Sequence, residues 1–215
     1  MTTCWYCSSD VPETSHYCPS CGHSQIDRSS SPLFGVVDTT TGIWNSKFVN
    51  ALVGQEANRA VRYRRPLSVL VAELDHAEHV HKEIDQIQLD GLLREMAERL
   101  GQAVRDTDTV GFLDADGPPH FAIVLPETDE QGAALAADKI RRSIASHDFG
   151  TTGAWKRITV SCGAATINAD YRPKDEAGVM NRREYTGNLL REAQQALESG
   201  RSAGTNRTTV GAYRS

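Results

Sequence analysis

The chain has 215 residues, with 23 basic against 28 acidic side chains and a formal net charge of −5. An apolar fraction of 39 % and a charged fraction of 24 % suit one ordinary folded domain plus something smaller. No stretch approaches the roughly 18 uninterrupted apolar residues of a membrane span, Met1–Cys7 lacks the regions of a signal peptide, and no basic block supplies the phosphate attraction of a broad nucleic-acid binder; a cytoplasmic location without membrane contact is expected.

Four of the five cysteines fall in the first 21 residues, as Cys4-x2-Cys7-x10-Cys18-x2-Cys21. Each Cys-x2-Cys turn can aim two sulfurs at one point, and two such turns complete a tetrahedron. In a reducing compartment this spacing predicts a zinc ribbon over 1–26 with a closed, structural site, in preference to two disulfides or free thiols. His16 and His23 stand close enough in sequence to replace a cysteine. A segment this short needs such a staple to fold. Ribbons bind proteins or nucleic acids alike. Here Asp10, Glu13 and Asp27 against Arg28 disfavour DNA, whereas Trp5, Tyr6 and Tyr17 favour a protein partner or pack around the metal. Asp27-Arg-Ser-Ser-Ser-Pro32 reads as a linker over 27–36.

The remainder, 37–211, has a globular pattern. A helix is predicted over 45–63, carrying Phe48, Leu52, Val53 and Ala60 and stopped by Pro66, with Arg62, Arg64 and Arg65 as a solvated end. Leu67–Leu74 is apolar on both faces and reads as a central strand. His76, His79 and His81 follow; two of them lie a helical turn apart, but a solvent-facing loop or helix start is expected rather than a metal site. Leu89, Leu92, Leu93, Met96, Ala97, Leu100 and Val104 recur at helical spacing. Thr107–Leu113 and His120–Leu125 flank Asp114-Ala-Asp-Gly-Pro-Pro119 as a hairpin. Ala133, Ala136, Ala137, Ile140 and Ile144 line a helix opened by early acids. Arg157–Thr166 is a strand with Cys162 as a small buried hydrophobe. Residues 167–184 read as loop, Leu189–Leu197 as a last helix, Thr208–Gly211 as a closing strand and 212–215 as a tail. After the first helix the order is β-α-β-β-α-β-α-β, a mixed α/β chain.

Residues 38 to about 210 resemble the GGDEF domain of diguanylate cyclases. Asp38-Thr-Thr-Thr-Gly-Ile-Trp-Asn45 is similar to that family's D-x-L-T-G-L-x-N-R opening, and Arg65-Pro-Leu-Ser-Val-Leu-Val-Ala-Glu-Leu-Asp75 to its P-L-S-L-L-x-x-D-I-D strand. Phe121-Ala-Ile-Val-Leu-Pro-Glu-Thr128, Val160-Ser-Cys-Gly-Ala-Ala165 and Ala193-Gln-Gln-Ala-Leu197 with Gly204-Thr-Asn206 follow in the family's order. The resemblance implies a palm-like mixed sheet flanked by helices, and a bacterial signalling protein. It also implies the family's activity, cyclic di-GMP from two GTP, with Mg²⁺ on hard oxygen ligands across a pair of protomers.

Against that pattern the catalytic positions have changed. The signature hairpin ends Gly117-Pro-Pro-His-Phe121, so Pro119 and His120 stand at the acidic positions and Pro118 at the second glycine, without an N–H. Glu73 replaces the first Asp of the strand end, Asp75 is retained, and Asp114 or Asp116 could bring a replacement acid. Asp90 is kept where the family reads guanine, while its partner position is His81. Arg201 stands for the phosphate-binding Lys. Arg105-Asp-Thr-Asp108 resembles the family's R-x-x-D inhibitory site, with Lys139 as its third basic position; a forked guanidinium can meet guanine O6 and N7. The expectation is a non-catalytic receptor of cyclic di-GMP at Arg105, Asp108 and Lys139, acting on a protein partner through the ribbon, with a homodimer open. The alternatives are a cyclase with rebuilt Mg²⁺ ligands, a GTP sensor using Asp90, and a nucleotide-independent interaction module working through the zinc ribbon.

Overall fold

The computed structural model describes residues 2–3, 9–12, 15, 18–20, 35–113, 119–150, 157–171 and 182–212. The chain divides into two compact units, Met1–Gly35 and Val36–Ser215. In the first, β1 (Thr2–Thr3) pairs antiparallel with β2 (Asp10–Val11), and Val11 and Cys18 are buried together. Cys4, Cys7 and Cys21, with His16 and His23, lie outside the described residues.

The second unit opens on a tight loop. The Asp38 carboxylate accepts from the Thr41 backbone N–H at 2.7 Å and its hydroxyl at 2.6 Å, and Gly42 takes φ 77°, a left-handed value that glycine adopts without strain. Asn45 then caps α1 (Ser46–Tyr63) by accepting from Phe48 N–H at 3.1 Å. Arg64 ends the helix in the left-handed region, and Pro66 prevents its continuation.

Five strands form the sheet in the order β4 (Thr109–Leu113), β5 (His120–Pro126), β3 (Leu67–Leu74), β6 (Val160–Ile167), β7 (Thr208–Ala212). The central β3 is antiparallel to both neighbours and buried at all eight positions, while β7 runs parallel to β6. Period-two alternation sorts β3 between two cores. Leu70, Ala72 and Leu74 meet Leu92, Met96 and Leu100 of α3 (Gln86–Ala103) and Ala137, Ile140 and Ile144 of α4 (Glu130–Ser146). Leu67, Val69 and Val71 meet Val49, Val53 and Ala57 of α1 and Leu189, Ala193 and Leu197 of α5 (Arg182–Ser202). The fold is therefore mixed α/β, with helices on both faces of the sheet.

Three boundaries differ from the sequence reading. A helix α2 (Ala77–Glu83) precedes α3, so at His76–His81 the helix start holds over the loop; among its described side chains only Ala77 and Val80 are buried, too few apolar positions to announce a period. The strand β6 begins at Val160 because Thr159 instead turns its carbonyl to Asp75 N–H and its hydroxyl to the Asp75 carboxylate. The helix α5 starts at Arg182, within the expected loop, where polar residues give no apolar stripe.

Candidate functional site

Two places gather the residues that the sequence singles out. The first is the C-terminal end of β3. Glu73 is the cross-strand partner of His120 on β5, and its side chain is 4 % exposed. Its Oε2 meets His120 Nε2 at 2.8 Å. Its Oε1 accepts from the guanidinium of Arg201, in the last turn of α5. Both oxygens of this buried carboxylate thus face nitrogen groups of the same chain. His120 Nδ1 is itself buried without a partner among the described residues.

Asp75, just beyond β3, is equally occupied. Its Oδ1 accepts from Ser161 Oγ at 2.7 Å, and its Oδ2 from Thr159 Oγ1 at 2.6 Å and the Asn206 backbone N–H at 2.8 Å. Asn206 takes a left-handed φ of 55° to present that N–H, and its side-chain oxygen accepts from Arg141 at 2.9 Å. The Arg141 hydrogen bond holds Asp138 below the usual carboxylate range, and Arg142 adds to the effect. Glu73 and Asp75 thereby tie β3 to β5, β6, α5 and the turn before β7. Pro119 is buried beside His120, while Asp114, Asp116 and Pro118 lie outside the described residues.

The second place is a pocket of about 210 Å³ between the end of α3 and the first turns of α4. Arg105, Asp108 and Lys139 line it together, as their sequence assignment to one site requires. Arg105 and Asp108 form a turn, with Asp108 N–H donating to Arg105 O at 3.0 Å. Arg105 N–H in turn donates to Asp108 Oδ2 at 2.9 Å. That leaves Asp108 Oδ1, which is buried and has no partner among the described residues. Val104, Leu135 and Ala136 supply apolar walls. The pocket therefore offers two cations, a buried acceptor short of a donor, and carbon surface.

Other candidates are less organised. Asp90 is half-buried and accepts from Gln86 at 2.7 Å, one turn earlier on α3; the His81 side chain is outside the described residues. His76 and His79 are exposed, with ring centroids 6.2 Å apart. No group of three or more metal-ligating side chains occurs among the described residues. Arg62 lies over the Tyr63 ring, and Arg65 pairs with Glu127. Cys162 is fully enclosed, and burial pushes its thiol up to about 12. No helix of the described residues is long and apolar enough to cross a membrane. Sequence reasoning missed the Arg201–Glu73 contact, which joins positions 128 residues apart with no local signal.

Comparison with known proteins places these features. An uncharacterized protein of Bacillus subtilis, YhcK, is 27 % identical over 172 residues, covering 79 % of this chain and 44 % of its own. Diguanylate cyclase A of Treponema denticola is 23 % identical over 153 residues, covering 71 % of this chain and 37 % of its own. The chain thus spans less than half the length of these relatives. The crystal structure of the coiled coil and GGDEF domain of DgcB from Caulobacter crescentus, in complex with c-di-GMP, superposes with a TM-score of 0.68 at 18 % identity. It covers 82 % of this chain and 86 % of that one. The family description "Diguanylate cyclase, GGDEF domain" matches residues 35–207, the whole of the sheet and its helices short of the last strand. The second unit, with its mixed five-strand sheet and these ordered motifs, makes the chain a member of the GGDEF family.

Proposed function

We propose that the chain is a non-catalytic GGDEF protein that receives cyclic di-GMP in the pocket of Arg105, Asp108 and Lys139. The observation that carries this reading is the pocket itself. It brings the three residues together and leaves Asp108 Oδ1 buried with no donor among the described residues. Guanine fits that shortage, since its N1–H and amino group are donors, while its O6 and N7 accept from a forked guanidinium. The anionic phosphates suit Lys139.

The end of β3 supports the non-catalytic half of the proposal. A Mg²⁺ ion needs near-octahedral oxygen donors at roughly 2.0–2.1 Å. Both oxygens of Glu73 face His120 and Arg201, both oxygens of Asp75 already accept O–H or N–H groups, and Pro119 and His120 bring no carboxylate. This donor set does not suit the metal, and the Arg201 guanidinium next to Glu73 opposes its approach.

In the first unit, Cys4, Cys7, Cys18 and Cys21 hold one structural zinc, and the ribbon they build contacts a protein partner. The spacing of the four thiols supports this half. Metal analysis of the purified full chain should return one zinc per chain.

Calorimetric titration of the full chain with cyclic di-GMP tests the receptor. Wild type should bind, and Arg105→Ala should weaken binding at least tenfold. Incubation with GTP and Mg²⁺ or Mn²⁺ should leave GTP intact by chromatography. No heat with wild type removes the receptor, and metal-dependent product removes the non-catalytic assignment in favour of a rebuilt cyclase.

A further inference from the structure

The nucleotide pocket has a feature that the Arg105–Asp108 pattern does not contain. Leu135 on α4 is 67 % exposed, although it is a large apolar side chain. It shares that condition with Tyr63 and Ile87 among the described residues, but Leu135 alone of the three lines this pocket. An exposed leucine on its own needs no explanation. This one stands one helical turn before Lys139, at the i, i+4 spacing that puts two side chains on the same helix face. Across the pocket are Arg105 and the unpartnered Asp108 Oδ1.

The three chemistries divide the ligand between them. The lack of a donor at Asp108 Oδ1 calls for an in-plane N–H at the edge of a ring. The cations of Arg105 and Lys139 suit acceptor edges and phosphate. What remains is the face of the ring, which needs carbon surface, and Leu135 with Ala136 is the carbon surface beside them. Resting on the reading of this pocket as a nucleotide site, we infer that Leu135 is the platform on which a purine face of the ligand lies. Leu135 thus sets affinity for a planar base independently of the edge recognition by Asp108. Its exposure in the free protein is the surface that binding covers.

The test is a calorimetric titration of the full chain with cyclic di-GMP, using wild type, Leu135→Ala, Leu135→Phe and Arg105→Ala. Truncation to alanine removes three carbons from the covered surface, and a one-sided contact of that size is worth roughly a five- to tenfold loss in affinity. Leu135→Phe, which offers a flat face, should bind as tightly as wild type or more tightly. Because the side chain is exposed, the unfolding midpoint of Leu135→Ala without ligand should match wild type, which separates a binding role from a folding one. If wild type binds, Arg105→Ala abolishes binding and Leu135→Ala binds like wild type, the platform is wrong and the site stands. If wild type shows no binding, the site is wrong and the platform falls with it. A lowered midpoint for Leu135→Ala alongside weaker binding would also overturn the platform, since the side chain would then be serving the fold.

Discussion

Replacing Glu73 with glutamine separates two accounts of the end of β3. If the carboxylate is the anion that holds His120 and Arg201, its loss leaves the Arg201 guanidinium beside a neutral amide with one accepting oxygen in place of two. A buried hydrogen bond to a charged group contributes about 1.5–3 kcal/mol. Glu73 is 4 % exposed and His120 15 %, which suits that range, whereas Arg201 is 37 % exposed and behaves more like a surface pair worth about 1 kcal/mol or less. An isosteric amide keeps one hydrogen bond, so Glu73→Gln should cost about 1.5–3 kcal/mol. For a chain of this size about 1 kcal/mol moves the melting midpoint by roughly 2–4 °C, so the expected drop is about 3–12 °C. Arg201→Met, which keeps much of the aliphatic packing, should lower the midpoint by no more than about 4 °C on the same scale. Circular dichroism melts at pH 7 read both, and 10 mM Mg²⁺ should move neither variant nor wild type. A Glu73→Gln protein as stable as wild type, or more stable, would refute the reasoning. That is how a metal site emptied of its ion behaves when one of its mutually repelling acids is neutralised.

Two further outcomes follow from packing. Gly163→Ala should destabilise the second unit by about 3 kcal/mol or more in urea unfolding, because its Cβ would stand 2.1 Å from Ala193 O and 2.3 Å from Leu197 N, backbone atoms of α5 that cannot rotate away. An unchanged unfolding midpoint would contradict the close approach of α5 to β6. Cys162 should resist iodoacetamide at pH 8 in the native chain and react fully in denaturant, since burial holds its thiol near 12 and only the thiolate attacks; peptide mapping by mass spectrometry reads this, and rapid native modification at Cys162 would contradict it.

The layers of the fold were legible where burial imposes a period. β3 reads as central because it is apolar on both faces, and α3 because Leu89, Leu92, Leu93, Met96 and Leu100 mark one stripe. Of α2 only a start could be named, as the alternative to a loop, since two buried residues at i and i+3 look like any loop with a valine in it. Arg105, Asp108 and Lys139 could be grouped from sequence only through their resemblance to the family's R-x-x-D site; that they line one pocket depends on how α4 packs beside the end of α3. Glu73 and Arg201 could be named as altered positions, but not as partners. Their meeting depends on where α5 ends relative to β3, which is a property of tertiary packing. Leu135 falls outside the inward stripe of Ala133, Ala136, Ala137, Ile140 and Ile144, but its place beside Arg105 and Asp108 could not be found from sequence, because it depends on how α4 packs beside the end of α3.

The contact between Trp44 and β4 bears on how the sheet avoids other sheets. An edge strand offers unpaired N–H and C=O groups to any passing chain. At β4 the protein's own backbone occupies part of that edge: Trp44 bridges to Gly111, and its carbonyl accepts from Phe112 N–H at 2.7 Å. The approach is close because residue 111 has no side chain: a Cβ there would stand 3.0 Å from Trp44 O, and 2.1 Å from the Val49 side chain of α1. Residues 36–45 therefore act as a guard rail against strand-to-strand aggregation. A fragment cut to begin at α1 would keep nearly all of the core and still uncover the adhesive margin of the sheet.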